Sequence, residues 1–508
     1  MISRIFSAGL FGFETKTIEI ETEVSFGLRT FQIVGLAEKS VQEASSRVCI
    51  ALKNSNFLSP EKHPQRIIVS LAPADLKKEG NFFDLPIALS YLLASKQIFF
   101  ETGKTLFLGE LSLEGKLRKI KGALAFALHA KKEGFSQIIL PKENAKEASL
   151  IKGIKVIGVE SLKETVLYLT KKKEIQPYLW QGEKEEKEIK NDLNFIHGQE
   201  IAKRALEISA AGFHHLLFLG PPGVGKSLLA KAICSILPEL TEEESLELTK
   251  IYSIAGLTDE KNPLIRKPPF RNPHHTSSFS AILGGGNPPR PGEITFSHRG
   301  VLFLDELPEF RRDVLESLRE PLEQGKITIL RSKNVLSLPA KFILVTAANP
   351  CPCGYWGDKE IVCKCSLSQI QKYQRKLQGP LIDRIDLFVF VPRIRFEKIE
   401  KEEENPTEKI RERVKKARLI QKERLKKEGI LTNGEMEVRE IKKYCQIDKD
   451  SKDLLKEYVD SGKISIRGYY KVLKVSRTIA DLKEKEKISF EDVCEALSFR
   501  KKEEIEKI

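Results

Sequence analysis

Residues 216–236 read LLFLGPPGVGKSLLAKAICSI. Four apolar residues run into a loop of Gly220, Pro221, Pro222, Gly223, Val224 and Gly225, and Lys226 and Ser227 then open a segment of helical periodicity. The pattern G-x-x-x-x-G-K-S between a strand and a helix predicts a phosphate loop. The glycines let the backbone turn so that its N–H groups face an anion. Lys226 would bring positive charge to the β and γ oxygens, and the Ser227 hydroxyl is suited to Mg²⁺, so ATP and Mg²⁺ are the expected ligands. Two further apolar strands end in polar side chains. VLFLDE closes on Asp305 and Glu306, positions for holding hydrated Mg²⁺ and for polarising the attacking water. FILVTAANP carries Asn349 at its end, where an amide could orient that water near the γ-phosphate. Helical stretches separate these strands, which predicts a parallel sheet with helices on both faces.

Working outward, 508 residues predict several domains, an α/β multidomain protein. Before the loop, residues 1–170 alternate short strands (IETEVSFGL, RIIVSLAP, SQIILP) with helices (KSVQEASSRVCIALKNS, DLPIALSYLLASK, GALAFALHAKKEG), an α+β pattern. Residues 171–192, KKKEIQPYLWQGEKEEKEIKND, lose apolar periodicity and read as a linker. The core domain then runs over 193–395. Residues 396–508 read as an all-α lid, opened by a long charged helix whose sparse apolar face is Val414, Leu419 and Ile420. No apolar run reaches the ~20 residues needed to cross a bilayer, and the N-terminus lacks a signal-like apolar run, so a cytoplasmic protein without membrane association is expected.

Lys and Arg number 85 against 71 Asp and Glu, a formal charge of +14. That excess fits an anionic partner such as nucleic acid, or a solvated Lys/Glu surface. GKITILRSKNVLSLPAKFILV reads as a hairpin with a basic tip, where Arg331 and Lys333 are either phosphate contacts or ordinary turn residues. The Gly/Pro-rich stretch FRNPHHTSSFSAILGGGNPPRPGE is too long for a mere connector. Its His274 and His275 lack a second ligand pair and read as polar loop residues rather than a metal site. Four of the eight cysteines fall in NPCPCGYWGDKEIVCKC: Cys351 and Cys353, then Cys363 and Cys365 after a gap of nine residues. Two C-x-C pairs on a returning loop can present four thiolates to Zn²⁺ as a closed structural knuckle; free or redox-active thiols are the alternative. Cys49, Cys234, Cys445 and Cys494 lie on helical patterns and are expected in the core.

GPPGVGKS, GEITFSHRGVLFLDELPEF, TAANPCPCG and GPLIDRIDL together resemble the magnesium-chelatase-like AAA+ ATPases, and with the N-terminal segment the chain is similar to the YifB/ComM family along essentially its whole length. The resemblance implies a central AAA+ P-loop domain and further site residues. Arg384 in LIDRIDL corresponds to an arginine finger acting on a neighbouring subunit, Arg467 in SIRGYY to a second sensor arginine, and Ile196, Gly198 and Gln199 to the adenine side. It also implies a homohexameric ring whose hairpin projects toward the channel. The N-terminal segment resembles the Lon-protease-like domain of the ribosomal-S5-like fold, through KKEGNFFDLPIAL, GELSLEGKLRKIKGALAFALHA and ILPKENAKE. Phe82, after Glu79-Gly80-Asn81, stands where Lon has its serine and Leu124 where it has its lysine, so no peptidase dyad is expected. The activity implied is an ATP-driven motor on single-stranded or branched DNA, in branch migration or unwinding of recombination intermediates. A magnesium chelatase motor subunit and a protein-remodelling ring are the rival readings.

Overall fold

The computed structural model describes residues 2–62, 64–180, 182, 192–286, 290–331, 334–358, 360–377, 381–393 and 406–500. Residues 181 and 183–191 of the expected linker and the start of the expected lid lie outside the described residues. The chain divides into two compact units, one of Met1–Glu186 with Ser245–Ile265, the other of Lys187–Glu244 with Arg266–Ile508.

The first unit is built on a seven-stranded sheet. Its strands in chain order are β1 (Ile2–Phe11), β2 (Glu14–Phe26), β3 (Thr30–Val34), β4 (Gln65–Ala72) and β5 (Thr105–Phe107), then, after a small ribbon of β6 (Glu110–Leu111) and β7 (Leu117–Arg118), β8 (Gln137–Pro141) and β9 (Lys155–Val159). The spatial order is β3-β4-β2-β1-β5-β8-β9. β2 alternates buried Ile18 and Ile20 with outward Thr and Glu, as a half-buried strand must. The helix Asp84–Ala94 is buried nearly all round, which its unbroken apolar run requires. Phe82 packs edge-on to Phe126 and Leu124 is fully buried, so both side chains serve as core hydrocarbon. Residues 245–265 join this unit: the N–H of Gly122 donates to the Ser253 carbonyl at 2.9 Å, and Lys119 pairs with Glu260 at 2.9 Å.

The second unit holds a five-stranded parallel sheet, in spatial order β11-β14-β17-β10-β18. The strands are β10 (Leu216–Leu219), β11 (Phe270–Arg271), β14 (Val301–Leu304), β17 (Ile343–Ala348) and β18 (Leu387–Phe390). Between them lie two ribbons, β12 (Gly284–Gly285) with β13 (Arg290–Pro291), and β15 (Lys326–Arg331) with β16 (Asn334–Pro339). β10, β14 and β17 are buried on every residue, the pattern of strands covered on both faces. The β15/β16 ribbon is the hairpin expected from sequence; Lys333 and the side chain of Arg331 lie outside the described part.

A helical region from Pro406 shares one core with this sheet, Val414, Val472, Val475 and Ile479 packing in the same cluster as Ala205, Ile208 and Leu387. Its long helix Pro406–Leu425 buries Ile410, Val414, Ala417 and Leu425 at helical spacing. Leu419, expected on that face, is 53% exposed, because burial follows the i, i+4, i+7 stripe through Val414 and position 419 falls off it. Cys49 and Cys445 are buried as expected, whereas Cys234 and Cys494 are part-exposed. Among the described residues no helix is long and apolar enough to cross a membrane.

Candidate active site

Parallel strands bring their C-terminal ends to one edge, and Leu219 of β10 registers with Ala348 of β17 while Leu304 of β14 registers with Thr346. The phosphate loop, Asp305, Glu306 and Asn349 therefore meet, although 123 residues separate Lys226 from Asn349 and 78 separate Ser227 from Asp305. The helix Lys226–Ile236 starts directly from Gly225, at φ 90°, which aims its first N–H groups and its first side chain back into the loop. At Gly220 a Cβ would lie 2.3 Å from the Val391 carbonyl oxygen, so close packing against the end of β18 admits glycine alone.

The ammonium of Lys226 donates to the carbonyl oxygens of Gly220 at 2.5 Å and Pro221 at 2.8 Å and to Oδ1 of Asn349 at 2.8 Å. Burial pushes it down to about 8, against the opposing pull of Asp305 and Glu306. A site that has already desolvated its cation gains by taking up an anion. Ser227 Oγ donates to Asp305 Oδ2 at 2.6 Å, and Asp305 Oδ1 accepts the N–H of Glu306 at 3.0 Å. A hydroxyl beside a carboxylate is a hard oxygen pair that fits Mg²⁺. Glu306 itself sits in left-handed backbone, φ 52° and ψ 49°, uncommon for a residue with a Cβ, and its carboxylate is exposed.

On the other side of the loop, Gln199 precedes the helix Glu200–Gly212 in left-handed backbone and donates through Nε2 to the Pro392 carbonyl at 2.7 Å, next to the Val391 that touches Gly220. Gly198 has φ 59°, and Ile196 packs on the second core with Val224. Arg384 and Arg467 do not reach this site. Both turn to Glu323, Arg384 in a short ion pair and Arg467 at 3.6 Å, and both line a cavity of about 700 Å³ to which no residue of 220–227 contributes. The backbone at Arg384 is tied to the C-terminal helices, its carbonyl accepting from Lys471 at 2.5 Å and that of Ile385 from Arg500 at 2.5 Å.

The cysteines converge. The Sγ atoms of Cys351, Cys353, Cys363 and Cys365 lie within 4.8 Å of one another, with 3.4 Å between Cys351 and Cys353, 3.7 Å between Cys351 and Cys363 and 3.5 Å between Cys353 and Cys363. Those separations are far beyond a disulfide and close to the ~3.8 Å edge of a tetrahedron with metal–sulfur bonds of about 2.3 Å. The N–H groups of Trp356 and Cys365 point at the sulfurs of Cys351 and Cys363, at 3.3 and 3.4 Å, the support a thiolate needs. The donor set fits a closed tetrahedral metal site. This turn leans on the phosphate loop: Gly354 has φ 85°, and a Cβ there would meet Pro222 Cδ at 2.5 Å.

One residue read from sequence as an ordinary polar loop residue lies beside the site. Nδ1 of His275 lies 3.5 Å from Oε2 of Glu306, with the His275 ring stacked 4.1 Å from that of His274.

Three family models match successive stretches of the chain. One for magnesium chelatase, subunit ChlI, matches residues 192–399, a second for subunit ChlI of Mg-chelatase matches 20–144, and a third for the ChlI C-terminal region matches 404–500. The competence protein ComM of Haemophilus influenzae is 40% identical over 505 residues, covering 98% of this chain and 97% of ComM. YifB of Salmonella typhimurium is 40% identical over 494 residues, covering 96% of this chain and 95% of YifB. The chain belongs to the YifB/ComM family of magnesium-chelatase-like AAA+ ATPases. By contrast, the magnesium-chelatase 38 kDa subunit of Rhodobacter capsulatus is 27% identical over 172 residues, 30% of this chain. Full-length likeness thus ties the protein to YifB and ComM rather than to the dedicated chelatase subunit.

Proposed function

We propose that this YifB/ComM-family protein hydrolyses ATP in a homohexameric ring and couples the hydrolysis to movement on single-stranded or branched DNA, in branch migration or unwinding of recombination intermediates. The observation that carries the reading is the meeting of Lys226, Ser227, Asp305, Glu306 and Asn349 at one sheet edge. In this reading Lys226 exchanges its carbonyl partners for the β and γ oxygens, and Ser227 and Asp305 hold Mg²⁺, which when bound offsets phosphate charge. Glu306 polarises the attacking water and Asn349 orients it. Ile196, Gly198 and Gln199 form the adenine side. Arg384 and Arg467, which pair with Glu323 away from their own chain's loop, act in this reading on a neighbour's nucleotide, which is why the reading requires a ring.

The DNA part rests on the excess of Lys and Arg, on the β15/β16 ribbon, between whose strands the sequence carries Arg331 and Lys333, and on the likeness to a protein named for competence. The four cysteines hold a structural Zn²⁺ that stiffens the turn after Asn349. The N-terminal segment, 1–170, serves as a Lon-like, S5-type binding or assembly domain joined through 171–192 to the AAA+ core, 193–395, with 396–508 as lid; the protein works in the cytoplasm. The deciding experiment is ATP turnover with and without single-stranded and four-way-junction DNA. Stimulation by DNA supports the motor. Turnover indifferent to DNA overturns the DNA reading in favour of a protein-remodelling ring, and turnover coupled to metal insertion into a porphyrin would favour the chelatase.

A further inference from the structure

Glu323 sits near the end of the short helix Arg319–Gln324, which stops on Gly325 at φ 64°. The Gly325 N–H donates to the Pro321 carbonyl at 2.9 Å and the Gly325 carbonyl accepts the Ala340 N–H at 2.8 Å, so the end of this helix is tied to the base of the β15/β16 ribbon. Arg384 closes the turn Ile382–Arg384 ahead of β18, where Lys471 and Arg500 hold the carbonyls of Arg384 and Ile385. Arg467 stands in the first turn of the helix Ile466–Leu482, whose N-cap hydroxyl, on Ser465, accepts the Gly468 N–H at 3.1 Å. Three elements distant in sequence thus anchor three backbones around one point, and the charged ends meet there. Arg384 donates through Nη2 to Oε1 of Glu323 in a short ion pair, and Nη2 of Arg467 lies 3.6 Å from the same oxygen.

Two guanidiniums on one carboxylate leave a surplus of positive charge. The side chain of Arg384 is 11% exposed and that of Glu323 is 48% exposed. A guanidinium withdrawn from water keeps most of its attraction for an anion, whereas a carboxylate half in solvent loses little by leaving it. The way out is open, because the triad stands on the cavity of about 700 Å³. A terminal phosphate brings more charge and more acceptor oxygens than one carboxylate, and two planar forks can grip it together. One anion must give way to the other, since a carboxylate left between the arginines would repel the phosphate at contact distance.

We propose that Glu323 is the built-in counter-ion of Arg384 and Arg467: it holds the two guanidiniums until the terminal phosphate of a nucleotide on a neighbouring copy of this chain displaces it. This rests on the reading of those arginines as acting across a subunit boundary. Glu323 thereby sets a threshold on hydrolysis, since arginines that it occupies stabilise no charge on a neighbour's phosphate.

The test is steady-state ATP turnover across a salt series, with equilibrium ATP binding, for the full-length protein and its Glu323→Gln, Glu323→Ala, Arg384→Ala and Glu323→Gln/Arg384→Ala variants. Losing a merely structural contact lowers turnover; releasing a competitor raises it. Glu323→Gln and Glu323→Ala should each raise kcat at low salt by roughly two- to fivefold, the factor by which releasing a half-exposed ion pair shifts an equilibrium. ATP affinity should stay unchanged, because the arginines act on a neighbour's transition state and not on their own chain's nucleotide. The gain should shrink as salt rises, since screening already loosens the pair in wild type, and should be lost from the residual rate of Arg384→Ala. A kcat at or below that of wild type in either Glu323 variant, a gain that appears as tighter ATP binding, or a gain that persists undiminished at high salt and without Arg384 would overturn the counter-ion role. Wild type without turnover would overturn the ATPase reading, and Arg384→Ala as fast as wild type would overturn the boundary role of the arginine. Active wild type, impaired Arg384→Ala and Glu323 variants no faster than wild type would remove this inference alone.

Discussion

The bond from Lys226 to Asn349 ties the loop after β10 to the end of β17, and both residues stand out in sequence: Lys226 within eight consecutive positions that hold glycines, a lysine and a hydroxyl, Asn349 at the close of an apolar run. His275, read in sequence as a polar loop residue of a stretch too long for a mere connector, lies beside them, and what sequence could not show is its neighbour: Glu306 is 31 residues on and comes near through parallel strand pairing. A second histidine makes a testable claim about stability. His215 stands between strands, its backbone N–H donating to Asp386 at 2.9 Å and its ring Nδ1 accepting the Leu344 N–H at 3.1 Å, so Nδ1 carries no proton in the folded protein. Burial pushes it down to about 4, with Asp386 opposing and Lys471, His214 and Lys474 adding to the fall. The unfolded chain takes up the proton below about 6.5 and the folded one does not, so this contribution is complete above that pH and is lost as pH falls toward 4. Chemical denaturation should show roughly 2 kcal/mol lost over that window on this account, less than the full shift because the ring borders the cavity. The advantage of wild type over His215→Gln should shrink across the same window; an advantage that stays constant from pH 7 to pH 4.5 would contradict it.

Among elements, the parallel strands β10, β14 and β17 are legible because each is buried on every residue and so reads as an apolar run. β11, two residues long, carries no periodicity of its own, and the packing of residues 245–265 with the first unit depends on surfaces brought by distant strands. The cysteine turn was legible because its four cysteines fall within fifteen residues. If it holds zinc, protein purified without added metal should carry about one zinc per chain by plasma mass spectrometry. Cys351→Ser with Cys363→Ser should lose the metal and, because Gly354 packs on Pro222, should weaken ATP binding as well as lower the melting temperature. Negligible zinc in folded, active protein would favour free thiols.

At the scale of the whole molecule the account requires a site completed by a second copy. Arg384 and Arg467 share Glu323 on a cavity away from their own phosphate loop, and Lys471 and Arg500 hold the backbone of that segment from the C-terminal helices. Arg384→Ala should therefore bind ATP normally yet hydrolyse it poorly, and doping it into wild type should depress turnover by more than its share, whereas linear dilution with subunit exchange demonstrated would exclude action across a boundary. The central claim, an ATP-driven grip on DNA, is tested most directly by fluorescence anisotropy of Glu306→Gln on a labelled single strand and a four-way junction, with and without ATP, across a salt series. Glu306→Gln keeps the side chain's shape while removing the carboxylate, so the ring should stay in its ATP state. DNA should bind at least as tightly as to wild type with ATP and more weakly without it, with affinity falling as salt rises, and Arg331→Ala with Lys333→Ala should flatten the salt slope by roughly one unit per lost phosphate contact. Affinity that ignores both nucleotide and the hairpin substitutions would contradict the account.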